Sequence, residues 1–131
     1  MITASLLAVA LAIAEHEGWN PMGGGGAAGA EPTVAYRNHN PGNLRSSVFE
    51  VGKRDGFAVF LNDQVGFAAL VFDIWSKAQG KTVTKLNGAS TLRDLVYVWA
   101  PPHENDTENY IRFVEMRTGL ASTTTLGELI R

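Results

Sequence analysis

The stretch YRNHNPGNLR, from Tyr36 to Arg45, surrounds a Pro-Gly pair with side chains that donate and accept hydrogen bonds. Three of its residues are asparagines, one is a histidine, and an arginine stands near each end. Asparagine offers both a donor and an acceptor, and arginine offers several donors, so such a segment suits the recognition of a polar ligand. We call it the asparagine loop and treat it as a candidate binding segment.

Glu17 is a candidate acid–base group because of its position on the first predicted helix. At about 100° per residue, Glu17 continues an apolar stripe made of Leu6, Val9, Ala10 and Ile13. Glu15 projects from the opposite side. Burial at the end of the stripe, next to Trp19, disfavours the charged carboxylate and therefore suits a general acid. The alternative is a carboxylate that extends past the core, or that pairs with an arginine such as Arg45.

Helices around one small hairpin are predicted, which makes the protein α+β and mostly α. The first helix runs from about Thr3 to Glu17, with Gly18 as its stop. The segment PMGGGGAAGAEPT, residues 21–33, is predicted to be a flexible Gly-rich loop. The strand-like runs SVFEV and GFAVF are expected to form the hairpin, with Gly52 to Gly56 as turn residues.

Four further helices are indicated by their capping residues. The second helix runs from about Gln64 to Lys77, with Asn62 or Asp63 as its N-cap. Its apolar residues lie almost all round the helix, which predicts burial on most sides. The other three have distinct N-cap signals: Thr91 with Asp94 before a helix ending near Trp99, Asp106 before one ending near Arg117, and Thr125 with Glu128 before a short last one.

The bulk composition fits one soluble globular domain, residues 1–131. A net charge of −2 without any run of Lys or Arg gives no sign of nucleic-acid binding. The chain has no cysteine, which excludes disulfides and a cysteine nucleophile. The apolar start lacks a positive segment and is too short to span a bilayer, so we expect neither a signal peptide nor an integral membrane segment.

The order of EG, YRNHNPGNLR, GFAVF and WAPPHENDTENYIRFV resembles a family of small lysozyme-like proteins of bacteriophages and bacteria. That family is related to the lytic transglycosylases and goose-type lysozymes, and the resemblance extends from about Ala12 to Gly119. It implies a lysozyme-like fold, in which a catalytic Glu at the end of the first helix faces a small hairpin across a sugar-binding groove. The acid of the family corresponds to Glu17. Its partner would be the glycan strands of peptidoglycan, with no cofactor.

The resemblance also gives the asparagine loop a ligand, the hydroxyl and N-acetyl groups of a glycan. Asn40 and Asn43 flank the turn and are the leading candidates for groove contacts, with Asn38 beside them. Tyr36 offers a flat face for a sugar ring, and Phe60 is a further substrate-binding candidate. Alternatively, the asparagines bond to nearby backbone and only fix the turn.

A late tyrosine approaches the catalytic carboxyl group in lytic transglycosylases, and Tyr110 in ENYIRFV is the matching residue here. Tyr110 can also be a core aromatic, since it shares a helical face with other large side chains. The sequence departs from the lytic transglycosylases in two places. Gly18 follows the catalytic glutamate where they have serine, and their Gly-Leu-Met-Gln segment is absent, so the product of the reaction stays open.

Most glycosidases need a second carboxylate, and the candidates are Asp55 in the hairpin turn and Asp63 at a helix start. Asp55 is also an ordinary turn former, and Asp63 an ordinary N-cap. Since neither is compelling, we favour the one-carboxylate mechanism that the resemblance implies, in which a lytic transglycosylase leaves a 1,6-anhydro end. Hydrolysis by a muramidase is the alternative.

Two other classes of function are a metal site and a non-catalytic module. His16, His39 and His103 lack zinc-ligand spacing, so no metal site is predicted. A non-catalytic module that binds peptidoglycan or builds a virion would keep the groove without needing a buried acid. Both the enzyme and the non-catalytic module would act at the bacterial cell wall, where either could be part of a larger phage or secretion assembly.

Overall fold

The computed structural model describes residues 2–20 and 32–131. Within these ranges it has six helices and one two-stranded antiparallel sheet, which confirms a mostly helical α+β protein. Contacts divide the chain into two compact units. The hairpin unit is Ile13–Phe72, and the helical unit comprises Asp73–Arg131 with the chain up to Ala12.

Helix α1, Ala4–His16, follows the apolar stripe of the sequence. Thr3 begins it, because the Thr3 hydroxyl accepts the Leu6 N–H at 3.0 Å. All the stripe residues before Glu17 are fully buried, as expected of a stripe that faces the core: Leu6, Val9, Ala10 and Ile13. The helix stops at the predicted place, since Gly18 adopts a φ of +93°, which favours glycine.

A short helix that the sequence did not predict follows residues 21–31. Helix α2, Val34–Arg37, is capped by Thr33, whose hydroxyl accepts the Tyr36 N–H at 3.1 Å. The predicted flexible loop lies outside the described residues except for Pro32 and Thr33. One helical turn has no periodic signal of its own, which explains why α2 was missed.

The hairpin consists of β1, Gly52–Arg54, paired with β2, Phe57–Val59. The prediction of a strand at SVFEV was wrong, because β1 begins where a turn was expected. The true turn is the pair Asp55-Gly56, both with positive φ (55° and 81°), as a tight hairpin turn requires. SVFEV instead folds on itself, with the Ser47 N–H donating to the Glu50 carboxylate at 3.0 Å.

Helix α3, Asp63–Ala78, contributes residues to both units. Its N-cap is Asn62, whose side chain accepts the Val65 N–H at 2.9 Å. Most apolar positions of α3 are buried or half-buried, whereas Ala68 and Phe72 are exposed. Phe72 is 46% exposed and packs edge-on against Phe49.

The helical unit contains α4, Leu92–Trp99, α5, Thr107–Thr118, and α6, Leu126–Leu129. All three predicted caps are confirmed, including the reciprocal Thr91–Asp94 box. The core of this unit is built from aliphatic side chains of these helices: Leu92, Leu95, Val96, Ile111, Val114, Leu126 and Leu129. Among the described helices, none is long and apolar enough to cross a membrane.

Candidate functional site

The structure brings Glu17 and Asn43 together within the hairpin unit. The Asn43 Nδ2 donates to the Glu17 Oε1 at 3.1 Å, although the two residues are 26 positions apart. The Glu17 side chain is half-buried, whereas Glu15 is exposed, as the helical stripe predicts. A carboxylate that is only partly reached by water and held by an amide donor is suited to proton transfer.

The backbone around Glu17 is fixed by hydrogen bonds on both sides. The Glu17 N–H donates to the Ile13 carbonyl at 2.9 Å, which continues the last turn of α1. The Thr33 hydroxyl donates to the Gly18 carbonyl at 2.8 Å and so links the end of α1 to the start of α2. A side chain at Gly18 would approach Thr33 to 2.8 Å, so this junction requires glycine for space as well as for φ.

Asn43 occupies a backbone conformation that few other residues adopt. Its φ is +49°, in the left-handed region, where asparagine is enriched. Its N–H donates to the Asn40 carbonyl at 3.0 Å and closes the NPGN turn. The turn therefore presents the Asn43 carboxamide to Glu17, a contact that the sequence did not predict, since Asn43 was a candidate for direct contact with a ligand.

Asn40 is fully buried, and its carboxamide bonds to nearby backbone. Its Nδ2 donates to the carbonyls of Leu44 and Ala58, each at 2.9 Å, and its Oδ1 accepts the Leu44 N–H at 2.9 Å. A side chain engaged in this way has no exposed surface for a groove contact. For Asn40 the structure therefore supports the alternative in which the asparagine fixes the loop.

Asn38 is also fully buried. Its Nδ2 donates to the Arg54 carbonyl at 3.3 Å, and its own carbonyl accepts the Phe60 N–H at 3.0 Å. Its Oδ1 is buried and has no hydrogen-bond partner within the described ranges. Asn38 thus ties the loop to the hairpin, and direct contact with a ligand would require the loop to open.

Helix α3 packs directly on the backbone of the asparagine loop. A Cβ added at Gly66 would lie 1.8 Å from the His39 carbonyl oxygen and 2.9 Å from the Pro41 Cδ. Nearby, the His39 Nδ1 lies 2.9 Å from the Asp63 Oδ1. A glycine inside a predicted helix was the sequence signal for this close packing, because glycine there is otherwise unfavourable.

The aromatic candidates divide into buried and accessible side chains. Phe60 and Tyr110 are each 1% exposed, so Phe60 belongs to the core rather than to a binding surface, and Tyr110 fits its core alternative. Tyr36 is half-buried and stays a candidate. Trp19 is buried and stacks on Phe67 with ring centroids 6.0 Å apart.

The two candidate second carboxylates each face a basic side chain. Asp55 lies in the hairpin turn, where its side chain is 53% exposed and pairs with Arg37 at 3.4 Å. Asp63 is the first residue of α3 and faces His39, while Asn62 provides the N-cap. Asp55 is thus a turn residue and Asp63 a helix-start residue, each with a local partner, which is the alternative to a catalytic role.

His16 is a titratable neighbour of Glu17. Partial burial lowers the pKa of His16 from its usual value, and the negative charge of Glu17 opposes that effect. In the part of the chain that the structure describes, no three His, Asp or Glu side chains are grouped so that they could hold a metal ion.

Comparison with known proteins gives little further information. No family model matches the chain, and no solved structure matches it. A segment of 33 residues is 48% identical to Protein P5 of Pseudoalteromonas phage PM2. The matched segment is 25% of this chain and 21% of Protein P5, so the chain covers about a fifth of that relative. A similarity this short establishes neither a family nor a fold.

Proposed function

We propose that this protein cleaves the β-1,4 bond between N-acetylmuramic acid and N-acetylglucosamine in peptidoglycan. The reaction is that of a lytic transglycosylase with Glu17 as its acid and base, in a lysozyme-like arrangement of α1 and the hairpin. One observation carries the proposal: the half-buried carboxyl group at the end of the apolar stripe accepts a hydrogen bond from Asn43. The EG pair and the asparagine loop, which both contribute to the family resemblance, are thus joined by one hydrogen bond.

In the proposed mechanism, one proton moves out of Glu17 and another returns to it. Protonated Glu17 gives its proton to the glycosidic oxygen while the bond from that oxygen to C1 of the muramic acid breaks. The N-acetyl oxygen of the substrate stabilises the cationic C1. The Glu17 carboxylate then takes the proton of the C6 hydroxyl group as O6 bonds to C1. The acid is regenerated, and no water is consumed.

The engagement of Asp55 and Asp63 supports a single catalytic carboxylate. A hydrolase of the usual kind needs a second carboxyl group free to act as nucleophile or base. Asp55 faces Arg37 and Asp63 faces His39, so each acts as a local structural partner. Hydrolysis is the alternative reaction, with Asp55 as the candidate second acid.

A non-catalytic module is the second candidate, because several expected ligand contacts are buried. Asn40, Phe60 and Tyr110 expose 1% or less of their surface, which leaves fewer groups for a glycan than the resemblance implies. The short similarity to a phage protein is compatible with either function in a phage setting at the bacterial cell wall. Within a virion, this chain would be one part of a larger assembly.

The test incubates purified peptidoglycan with the wild type, with Glu17→Gln and with Glu15→Gln, and reads the soluble products by mass spectrometry. Glu15→Gln is the matched control, because it makes the same change on the exposed side of α1. We expect anhydro-muropeptides from the wild type and the control, and a loss of roughly 100-fold or more in Glu17→Gln.

Other products would change the assignment. Muropeptides one water heavier would make the protein a hydrolase and direct attention to Asp55. If no variant releases soluble products from several types of wall, the enzymatic proposal fails. Cosedimentation of the wild type with those walls would then support the binding module.

A further inference from the structure

We infer that Asn43 is a positioning residue that holds the Glu17 carboxyl group in both of its protonation states by turning its carboxamide over when the proton moves. The inference rests on the proposed function, because only a carboxyl group that gives up and regains a proton in each cycle needs such a partner. It concerns one hydrogen bond and predicts behaviour that can be measured without substrate.

The Asn43 carboxamide is used on one side only. Its Nδ2 donates to Glu17, whereas its Oδ1 is buried and has no hydrogen-bond partner among the described residues. A buried acceptor without a partner costs free energy, so its presence next to a titratable group calls for an explanation. After rotation of the carboxamide, a protonated Glu17 would donate to this oxygen, and Nδ2 would take the place that Oδ1 now occupies.

The Glu17 carboxyl group and the Asn43 carboxamide are complementary in hydrogen bonding. An ionised carboxylate only accepts hydrogen bonds, while a protonated one gains an O–H that donates and keeps an acceptor on its other oxygen. A carboxamide has a donor and an acceptor on one planar group, and rotation about χ2 exchanges their places. The donor side fits the ionised state of Glu17, and the acceptor side fits the protonated state.

Hydrogen bonds hold the backbone at both residues, so the carboxamide can rotate without moving it. On one side the Asn43 N–H bonds to Asn40, and the Asn40 Oδ1 accepts the N–H of Leu44. On the other side the Glu17 N–H bonds to Ile13, at the end of α1. Rotation of one amide is therefore enough to follow the proton, and the distance between the two residues is kept.

The charged side chains of the asparagine loop have partners of their own. Within the loop, Arg37 pairs with Asp55, His39 faces Asp63, and the Arg45 guanidinium lies 4.3 Å from the centre of the Phe57 ring. His16 lies outside the loop, and the negative charge of Glu17 acts on its pKa. A test of the amide must therefore distinguish the titration of Glu17 from that of His16.

The first experiment follows the Asn43 side-chain amide and the Glu17 side-chain carbon by NMR as a function of pH. We expect the Asn43 Nδ2 signals to move with the same midpoint as the Glu17 carboxyl signal. In Glu17→Gln, which keeps His16, we expect them to stay constant. The inference is overturned if the amide signals ignore the Glu17 titration, or if they move equally in Glu17→Gln.

The second experiment separates rotation of the amide from simple release of the hydrogen bond. A double-mutant cycle combines Glu17→Ala with Asn43→Gly, which suits the positive φ at this position, and measures unfolding above and below the Glu17 titration. Rotation keeps the coupling between the two residues favourable in both states. Release alone removes the coupling in the protonated state and would overturn the inference.

Activity provides a third readout that distinguishes this inference from the proposed function. If the wild type cleaves peptidoglycan, we expect Asn43→Gly to lower kcat by about tenfold to a hundredfold with little change in KM, because an unheld acid is misplaced. If nothing is cleaved, the proposed function fails, while the NMR and stability results still decide the behaviour of Asn43. If cleavage depends on Glu17 but the coupling is absent, only the positioning role fails.

Discussion

The asparagine loop and a surface network in the helical unit both contain short hydrogen bonds to polar side chains, but they lie in different environments. In the loop, the fully buried Asn40 makes three bonds of 2.9 Å to backbone. In the network, the Glu108 Oε2 accepts from the Tyr97 hydroxyl at 2.6 Å and from the Arg93 guanidinium at 2.7 Å, and all three side chains are exposed.

Hydrogen-bond distance alone would rank the surface network as the stronger of the two. Water competes for every group in the network, however, so little is lost when one of its bonds breaks. In the loop, a lost bond leaves a buried backbone group without a partner, and that carries its full desolvation cost. The comparison indicates that burial, more than distance, decides how much these polar contacts stabilise the protein.

The largest effect is expected from Gly66→Ala, which attacks the support of the loop. The new Cβ would lie 1.8 Å from the His39 carbonyl oxygen, so backbone must move. We expect a loss of about 3 kcal/mol in the free energy of unfolding, measured in urea. Gly52→Ala is the control, because a Cβ there meets no atom within 4 Å and should change the stability little.

The relative stability of these two variants tests directly whether the loop is rigid. Equal stability of Gly66→Ala and Gly52→Ala would mean that the loop retreats from α3 at little cost. The loop would then not be the rigid support for Asn43 that we describe.

The next largest effect is expected from Asn40→Ala. It removes three bonds and leaves the Leu44 N–H buried without its acceptor, so we expect a loss of about 2 kcal/mol on unfolding in urea. Asn87→Ala makes the same substitution at an exposed turn, where the side chain accepts one bond from the Ala89 N–H. The control should lose less than about 0.5 kcal/mol, and a similar loss in both variants would contradict the role given to burial.

The sequence predicted those features that depend on neighbouring residues. The Thr91–Asp94 capping box, the Asp106 and Thr125 caps and the Gly18 stop all came from residue types a few positions apart. Such signals are local because a cap bonds to backbone three residues away. The side of α1 that carries Glu17 was predictable for the same reason, through helical periodicity.

The features that depend on distant neighbours were predicted less well. SVFEV has strand-forming residues, but the Asp55-Gly56 turn sets the register of the hairpin. As a result, β1 lies at Gly52–Arg54, directly before the turn. Residue type marked Asn40 and Phe60 as ligand contacts, and only tertiary packing shows that both are buried. The bond between Asn43 and Glu17 joins segments too distant in sequence for any local pattern to reveal.

The smallest effect is expected at the surface network, where the pH dependence also has a definite sign. Hydrogen bonds from Tyr97 and then Arg93 lower the pKa of Glu108, and the bond to Glu108 raises the pKa of Tyr97. A carboxyl group whose pKa is lowered by folding stabilises the protein above its usual pKa, and this contribution is lost as the pH falls through the folded value.

Thermal unfolding of the wild type and Glu108→Gln across the acidic range tests this expectation. We expect a small difference in Tm at neutral pH that shrinks on acidification below about pH 4 and in high salt, because the contacts are exposed. The Tyr97 contribution has the opposite sense: its raised pKa means that it is lost as the pH rises into the alkaline range. If Glu108→Gln lowers the stability as much as Asn40→Ala, exposure would not weaken polar contacts in this protein. The contrast between the two regions would then have to be explained by bond geometry.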